Sequence, residues 1–134
     1  MAYAERTRVN VDQTKIEIEK TLKRYGAKRF AFLDEEGRAV IMFEAHERRV
    51  RFDLSLVEGD RERDVVERRR RWRALLLCIK AKLESVLSNI ETFEEAFLAH
   101  VVMPDGKTVA QHALEPIAVA YQGGKMQPLL PGPG

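Results

Sequence analysis

The chain predicts an α+β fold, and three observations carry that expectation. Apolar residues over 12–25 recur at helical spacing, those over 28–56 alternate with a period of two, and 61–90 runs on without a glycine or proline. The expected order is an N-terminal helix, a three-stranded antiparallel meander, a long Arg-rich helix, and a mainly helical C-terminal half containing a short strand or hairpin. A length of 134 residues suits one hydrophobic core, so residues 1–134 are read as a single domain.

Residues 1–10 mix charges without periodicity and read as an arm that orders only if something docks it. The first helix then spans 12–25, with Ile16, Leu22 and Tyr25 as its stripe, Asp12 as its cap and Gly26 as its left-handed terminator. In the following sheet Phe30 and Phe32 alternate with other residues, and Val50, Phe52, Leu54 and Leu56 alternate with Arg49, Arg51, Asp53 and Ser55. The turns Asp34-Glu35-Glu36-Gly37 and Ala45-His46-Glu47-Arg48 are short enough to make hairpins. The middle run Ala39-Val40-Ile41-Met42-Phe43 is apolar throughout, as in a strand covered on both faces.

RERDVVERRRRWRALLLCIKAKLESVLSNI, at 61–90, is the longest element. Its apolar stripe, Leu76, Ile79, Leu83, Val86 and Leu87, lies in its second half, so the helix is expected to enter the core near Trp72. Thr92-x-x-Glu95 and Thr108-x-x-Gln111 have capping-box spacing and open two further helices, the first burying Phe93, Phe97 and Leu98. Val101-Val102-Met103 reads as a short strand, Pro104-Asp105-Gly106 as a turn, and Pro116 as a break or restart of the last helix. Residues 124–134, rich in proline and glycine, favour an extended tail from which Leu129 and Leu130 can still dock.

Composition narrows the function classes. Apolar residues at 45% argue against disorder, and 23 basic against 21 acidic residues leave +2, so any attraction to nucleic acid must come from local clustering. Cys78 is the only cysteine, which excludes an internal disulfide and suits a reducing compartment. The start MAYAERTRVNVD lacks the apolar stretch of a signal peptide and the longest apolar run, 74–79, is too short for a bilayer, so the expectation is a cytoplasmic protein without membrane contact.

The sharpest feature is Arg68-Arg69-Arg70-Arg71-Trp72-Arg73. Consecutive helical residues diverge by about 100°, so at most two or three of these arginines can face one ligand. Arg69, Trp72 and Arg73 share a face, and guanidinium groups with an indole suit the phosphate and base of a nucleotide or nucleic acid. The plainer reading is a solvated helix in which Asp64 and Glu67 pair with Arg68 and Arg71, four residues on. Trp72 opens the apolar half of the helix, so packing in the core or at a subunit contact is favoured over stacking. Arg49 and Arg51, on the sheet face opposite Val50 and Phe52, would join one anion-binding groove if the long helix bordered that face.

No other chemistry is legible. His46, His100 and His112 are scattered, so no metal site is expected, and no phosphate loop, dinucleotide fingerprint, nucleophile elbow or Cys-x-x-Cys is present. Neither a cofactor nor a catalytic residue is expected. Cys78, between Leu77 and Ile79, reads as an inert helix residue.

WRALLLCIKAKLES, ETFEEAFLAHVVMPDGKTV, IAVAY and MQPLLP in the second half, with MAYAERT, YGAKRFAF and GRAVIMFE in the first, resemble a family of small proteins that recur in bacteriophage and prophage genomes. The resemblance implies a phage accessory role, in DNA metabolism or in blocking host defence, and carries no catalytic or binding residue with it. The combined expectation is a non-enzymatic phage protein whose Arg69, Arg70, Arg73, Arg49 and Arg51 contact the phosphates of a nucleic acid or nucleotide. The alternative is an adaptor or inhibitor docking its Arg-rich helix on an acidic host defence protein. The apolar central strand and long helix further suggest a homo-oligomer, a dimer first.

Overall fold

A computed structural model describes the backbone of residues 2–132 and the side chains of residues 10–132. It has the expected α+β architecture: α1 (Ala2–Arg24), β1 (Lys28–Glu35), β2 (Arg38–Ala45), β3 (Arg48–Ser55), α2 (Glu62–Leu87), α3 (Phe93–Phe97), a 3-10 turn (Leu98–His100) and α4 (Val109–Gly123). The strands form one antiparallel meander in the order β1-β2-β3.

The helical start differs from expectation. Residues 2–10 are not an arm but the first turns of α1, and Asp12 lies inside the helix instead of capping it. Helix formers such as Ala4, Glu5 and Arg6 propagate a helix nucleated further along, without any apolar period of their own. The buried stripe is Thr14, Ile18, Thr21 and Leu22, whereas Ile16 is 53% exposed. The stripe was hard to read because two of its members are threonines, and Thr14 returns its hydroxyl hydrogen to Asn10 O at 3.0 Å.

Two-residue turns join the strands. At the second, His46 and Glu47 both have positive φ, 51° and 62°, the left-handed pair that matches the twist of a hairpin but strains residues with a Cβ. Glu47→Gly is therefore expected to raise stability by about 0.5–1 kcal/mol, read as a higher urea midpoint with unchanged slope.

Alternation then sorts the sheet. Ala39, Ile41 and Phe43 pair with Leu54, Phe52 and Val50, and all six are buried on the inner face. α1 covers that face with Ile18 and Leu22, α2 with Trp72, Leu76, Ile79 and Leu83, and α3 with Phe93 and Phe97. Phe97 meets Phe43 and Phe52 edge-on, at 6.0 and 6.3 Å between ring centres.

The outer face carries no helical layer. Val40 is buried there between its partners Leu33 and Asp53, but Leu33 and Met42 are exposed, so β2 is not covered on both faces. Its unbroken apolar run reflects one core face plus a partly sheltered centre.

α2 joins the core cluster at Trp72, as expected; Val65, about two turns earlier, is buried outside that cluster, and Leu87 at the end of α2 is exposed. Both capping boxes form: Thr92 and Thr108 accept from the backbone N–H of Glu95 and Gln111, whose side chains return the bond. Phe93 and Phe97 are buried, while Leu98 is exposed. Between them, Val101 bridges Val50 and Val102 bridges Thr108 as isolated antiparallel contacts around the 104–106 turn.

Pro116 does not break α4, which runs through it to Gly124, a left-handed cap with φ 72°. Proline's fixed φ is itself helical, so the cost is one missing N–H and a crowded carbonyl, both borne at a partly exposed position. Residues 125–132 form no helix or strand, and Leu129 and Leu130 return to line a cavity with Leu98, Val101, Met103 and Ala113. Among the described residues no helix is long and apolar enough to cross a membrane.

Candidate anion-binding cleft

The arginine run of α2 diverges as helical geometry requires, and each guanidinium meets a different environment. Arg68 Nη1 donates to Val57 O at 3.0 Å and Gly59 O at 2.8 Å, closing the loop that leads into α2. Gly59 has φ 115°, and a Cβ there would sit 2.5 Å from Asp64 Oδ2. Arg71 donates Nε to Ser55 O at 3.3 Å. Both are structural ties between strand, loop and helix.

Arg70 forms a two-point pair with Glu67, at 2.8 Å from Nε and 2.6 Å from Nη2. That pair holds the Glu67 carboxyl below its ordinary range and pushes the Arg70 guanidinium up. The expected pairs Asp64–Arg68 and Glu67–Arg71 are not among the ion pairs of the described residues, because Glu67 turns to Arg70 and Arg68 to the loop carbonyls. Arg70 is thereby neutralised and does not join Arg69 and Arg73 in the cleft they line.

Arg69 and Arg73 do share a face. They line one cleft with Asn10, Gln13, Thr14 and Glu17 of α1, a space of about 350 Å³. α1 and α2 run side by side in the same direction, Asn10 lying towards Arg69 and Glu17 towards Lys80. Glu17 takes Arg73 Nη1 at 3.4 Å and Lys80 Nζ at 3.1 Å on its two oxygens. Among the described residues the cleft is thus lined by two cations, Arg69 and Arg73, and one carboxylate, Glu17, which also holds Lys80 outside the lining, an excess of one positive charge beside two side-chain amides. Donors of this kind with surplus charge suit a phosphate group.

Trp72 is buried to 2% exposure and has no face open for stacking on a base. Lys15 Nζ lies 5.0 Å from its ring centre and 2.6 Å from Asp34 Oδ2, so the indole anchors α2 to α1 and, through Lys15, to β1.

Arg49 and Arg51 belong elsewhere. They project from the outer face of the sheet, opposite the face that α2 covers, so the single groove linking them to α2 is not formed. Arg51 is a latch: its guanidinium donates to Asp53 at 3.3 Å, Gly106 O at 2.9 Å and Gln111 Oε1 at 2.8 Å, tying β3 to the turn and first residues of α4. Arg49 has no ion pair among the described residues and borders a second cavity of about 370 Å³ with Arg29 and Glu44 over Ala31, Met42 and Val102.

Arg29 and the α1 residues Asn10, Gln13 and Thr14 went unread in the sequence. Arg29 sits at a break in β1–β2 register with φ 58°, and approaches Glu44 at 3.5 Å. No residue type signals such a bulge. Asn10 fell in the stretch read as an arm, which concealed that helix α1 extends alongside Arg69.

The histidines are packed individually. His46 lies 4.6 Å from Phe93, His112 Nε2 is 2.8 Å from Asp105 Oδ2, and among the described residues no cluster of three metal-ligating side chains exists. Cys78 is exposed on α2. His100 stacks on Phe52 at 4.1 Å, and burial, with Lys82 nearby, lowers its pKa. Its folded form resists the proton that the unfolded chain accepts, so stability is present above the unfolded value of about 6.5 and falls as pH drops through that window. Urea titrations between pH 7.5 and 5 are expected to show this loss, reduced in His100→Gln.

Comparison with protein-family models, with curated proteins and with solved structures finds no match to this chain.

Proposed function

We propose that this chain is a phage-encoded, non-enzymatic accessory protein of the bacterial cytoplasm that binds a phosphate-bearing ligand, a nucleotide or nucleic acid, between α1 and α2. The observation that carries the reading is the convergence of Arg69 and Arg73 with Asn10 and Gln13 in one cleft. Sequestering a nucleotide signal, or masking a nucleic-acid site, would then serve antagonism of host defence.

The size of the cleft favours a nucleotide. The Arg29–Arg49 group lies on the far side of the sheet, so only a strand that wraps the molecule engages both. Loss of binding in Arg69→Ala/Arg73→Ala alone identifies the compact ligand. Loss that also requires Arg29→Ala/Arg49→Ala, with a steep fall as salt is added, identifies nucleic acid.

The competing reading, docking on an acidic host defence protein, would use the same two arginines. Purification from cells separates the two. Absorbance ratio and mass spectrometry of co-purifying material are expected to show a nucleotide or nucleic acid with the wild type and none with Arg69→Ala/Arg73→Ala. A nucleic-acid-free protein that retains a host protein through Arg69 and Arg73 overturns the proposal in favour of the adaptor.

A further inference from the structure

α4 buries fewer residues than any other α-helix of the fold among the described residues. Its sequence VAQHALEPIAVAYQG contains no lysine or arginine and a single carboxylate, and it packs chiefly against the 3-10 turn. Only Ala113 is buried along its whole length. Leu114, Ile117, Ala118 and Tyr121, spaced i, i+3, i+4 and i+7, form one continuous stripe, with Leu114 66%, Ile117 40% and Tyr121 90% exposed. A solvent-facing helix normally places charge there, so the stripe calls for a partner.

We infer that α4 pairs with α4 of a second copy of this chain across a two-fold axis near Ala118. Three features select a second copy over a different protein. The stripe is uncharged, so two copies meet without repulsion, whereas nothing on it would steer a charged partner. Small Ala118 lies between Leu114 and Tyr121, so helices crossing there in opposite directions place Leu114 of each beside Tyr121 of the other, the reciprocal arrangement that an isologous contact requires. The area is suitable as well. With an aromatic side chain contributing about 150–250 Å², two stripes together offer on the order of 1,000 Å², the lower limit for a specific interface. An interface of this size lies at the small end of specific contacts, so the dimer is expected to dissociate on dilution.

This pairing leaves the α1–α2 cleft untouched and does not depend on its ligand. It also differs from the surfaces that the sequence suggested, the central strand and the long helix.

Sedimentation velocity over a concentration series tests it. The wild type is expected to pass from monomer to dimer, and Leu114→Glu/Tyr121→Glu to remain monomeric, a weakening of at least about 100-fold, because each substitution acts twice in a symmetric contact. Circular dichroism and thermal unfolding of the variant should match the wild type, since both residues are exposed. A second readout does not rely on that variant folding. In a Cys78→Ser background, Ala118→Cys should cross-link to itself under mild oxidation, and Asp12→Cys, exposed on α1, should not. A wild type monomeric at every concentration, a dimer that persists in the double variant, or equal cross-linking at both positions overturns the inference. The first of these outcomes would assign the stripe to a different protein.

Discussion

Trp72→Ala is expected to be the most destabilising single substitution in this chain. The indole is buried at the junction of α1, α2 and the inner sheet face, and removing an aromatic side chain of this size from a core costs about 3–5 kcal/mol. Domains of this class are stable by about 5–15 kcal/mol, so the variant should be partly unfolded at 37 °C or lose much of its melting range. The cost includes a contact beyond apolar burial, because Lys15 loses the ring it lies over and keeps only Asp34. Trp72→Phe should recover a substantial part of the loss, as it refills most of the space. Circular dichroism in urea measures both, since the variants lack the only tryptophan for fluorescence. If Trp72 were a stacking residue on an open surface, Trp72→Ala would leave stability unchanged and abolish binding instead.

The second large effect is on binding. Hydrogen bonds to a charged group are each worth about 1.5–3 kcal/mol, so removing both Arg69 and Arg73 forfeits about 3–6 kcal/mol of interaction with a phosphate. The cleft is open to water and Glu17 already engages Arg73, so the lower end applies, and the double alanine variant should bind at least about 100-fold more weakly. Stability should hardly change, because Arg73 is exposed and its pair with Glu17 is a surface ion pair. Glu17→Gln should act in the opposite direction, releasing Arg73 and Lys80 and strengthening phosphate binding. Arg69→Lys should not restore full affinity, since an ammonium cannot offer two parallel donors.

The elements that sequence reading located share a strong local signal. Alternation over 48–55 marks β3, and the Thr92 and Thr108 capping boxes mark the starts of α3 and α4 because the spacing itself makes the bonds. Where tertiary context decides, the local signal was misleading. Residues 2–10 are helical without an apolar period, Ile18 replaces Ile16 on the buried side, and Pro116 is accommodated in α4.

The candidate site divides in the same way. That Arg69 and Arg73 share a face follows from helical spacing alone. That Arg70 is taken by Glu67, Arg51 by Gly106 and Gln111, and that Arg49 opens on the other side of the sheet, depends on contacts between residues far apart in the chain or on rotamers. Asn10 completed the cleft from the stretch read as an arm, and Gln13 from the polar side of the helix expected at 12–25.

The most direct test of the cleft is a titration of isotopically labelled protein with inorganic pyrophosphate, following the arginine Nε–H resonances by NMR. Those of Arg69 and Arg73 are expected to shift together and saturate, while those of Arg70, held by Glu67, and Arg51, held by Asp53, stay in place. A uniform, unsaturating drift of all exposed arginines would show a general charge effect and contradict a phosphate site between α1 and α2.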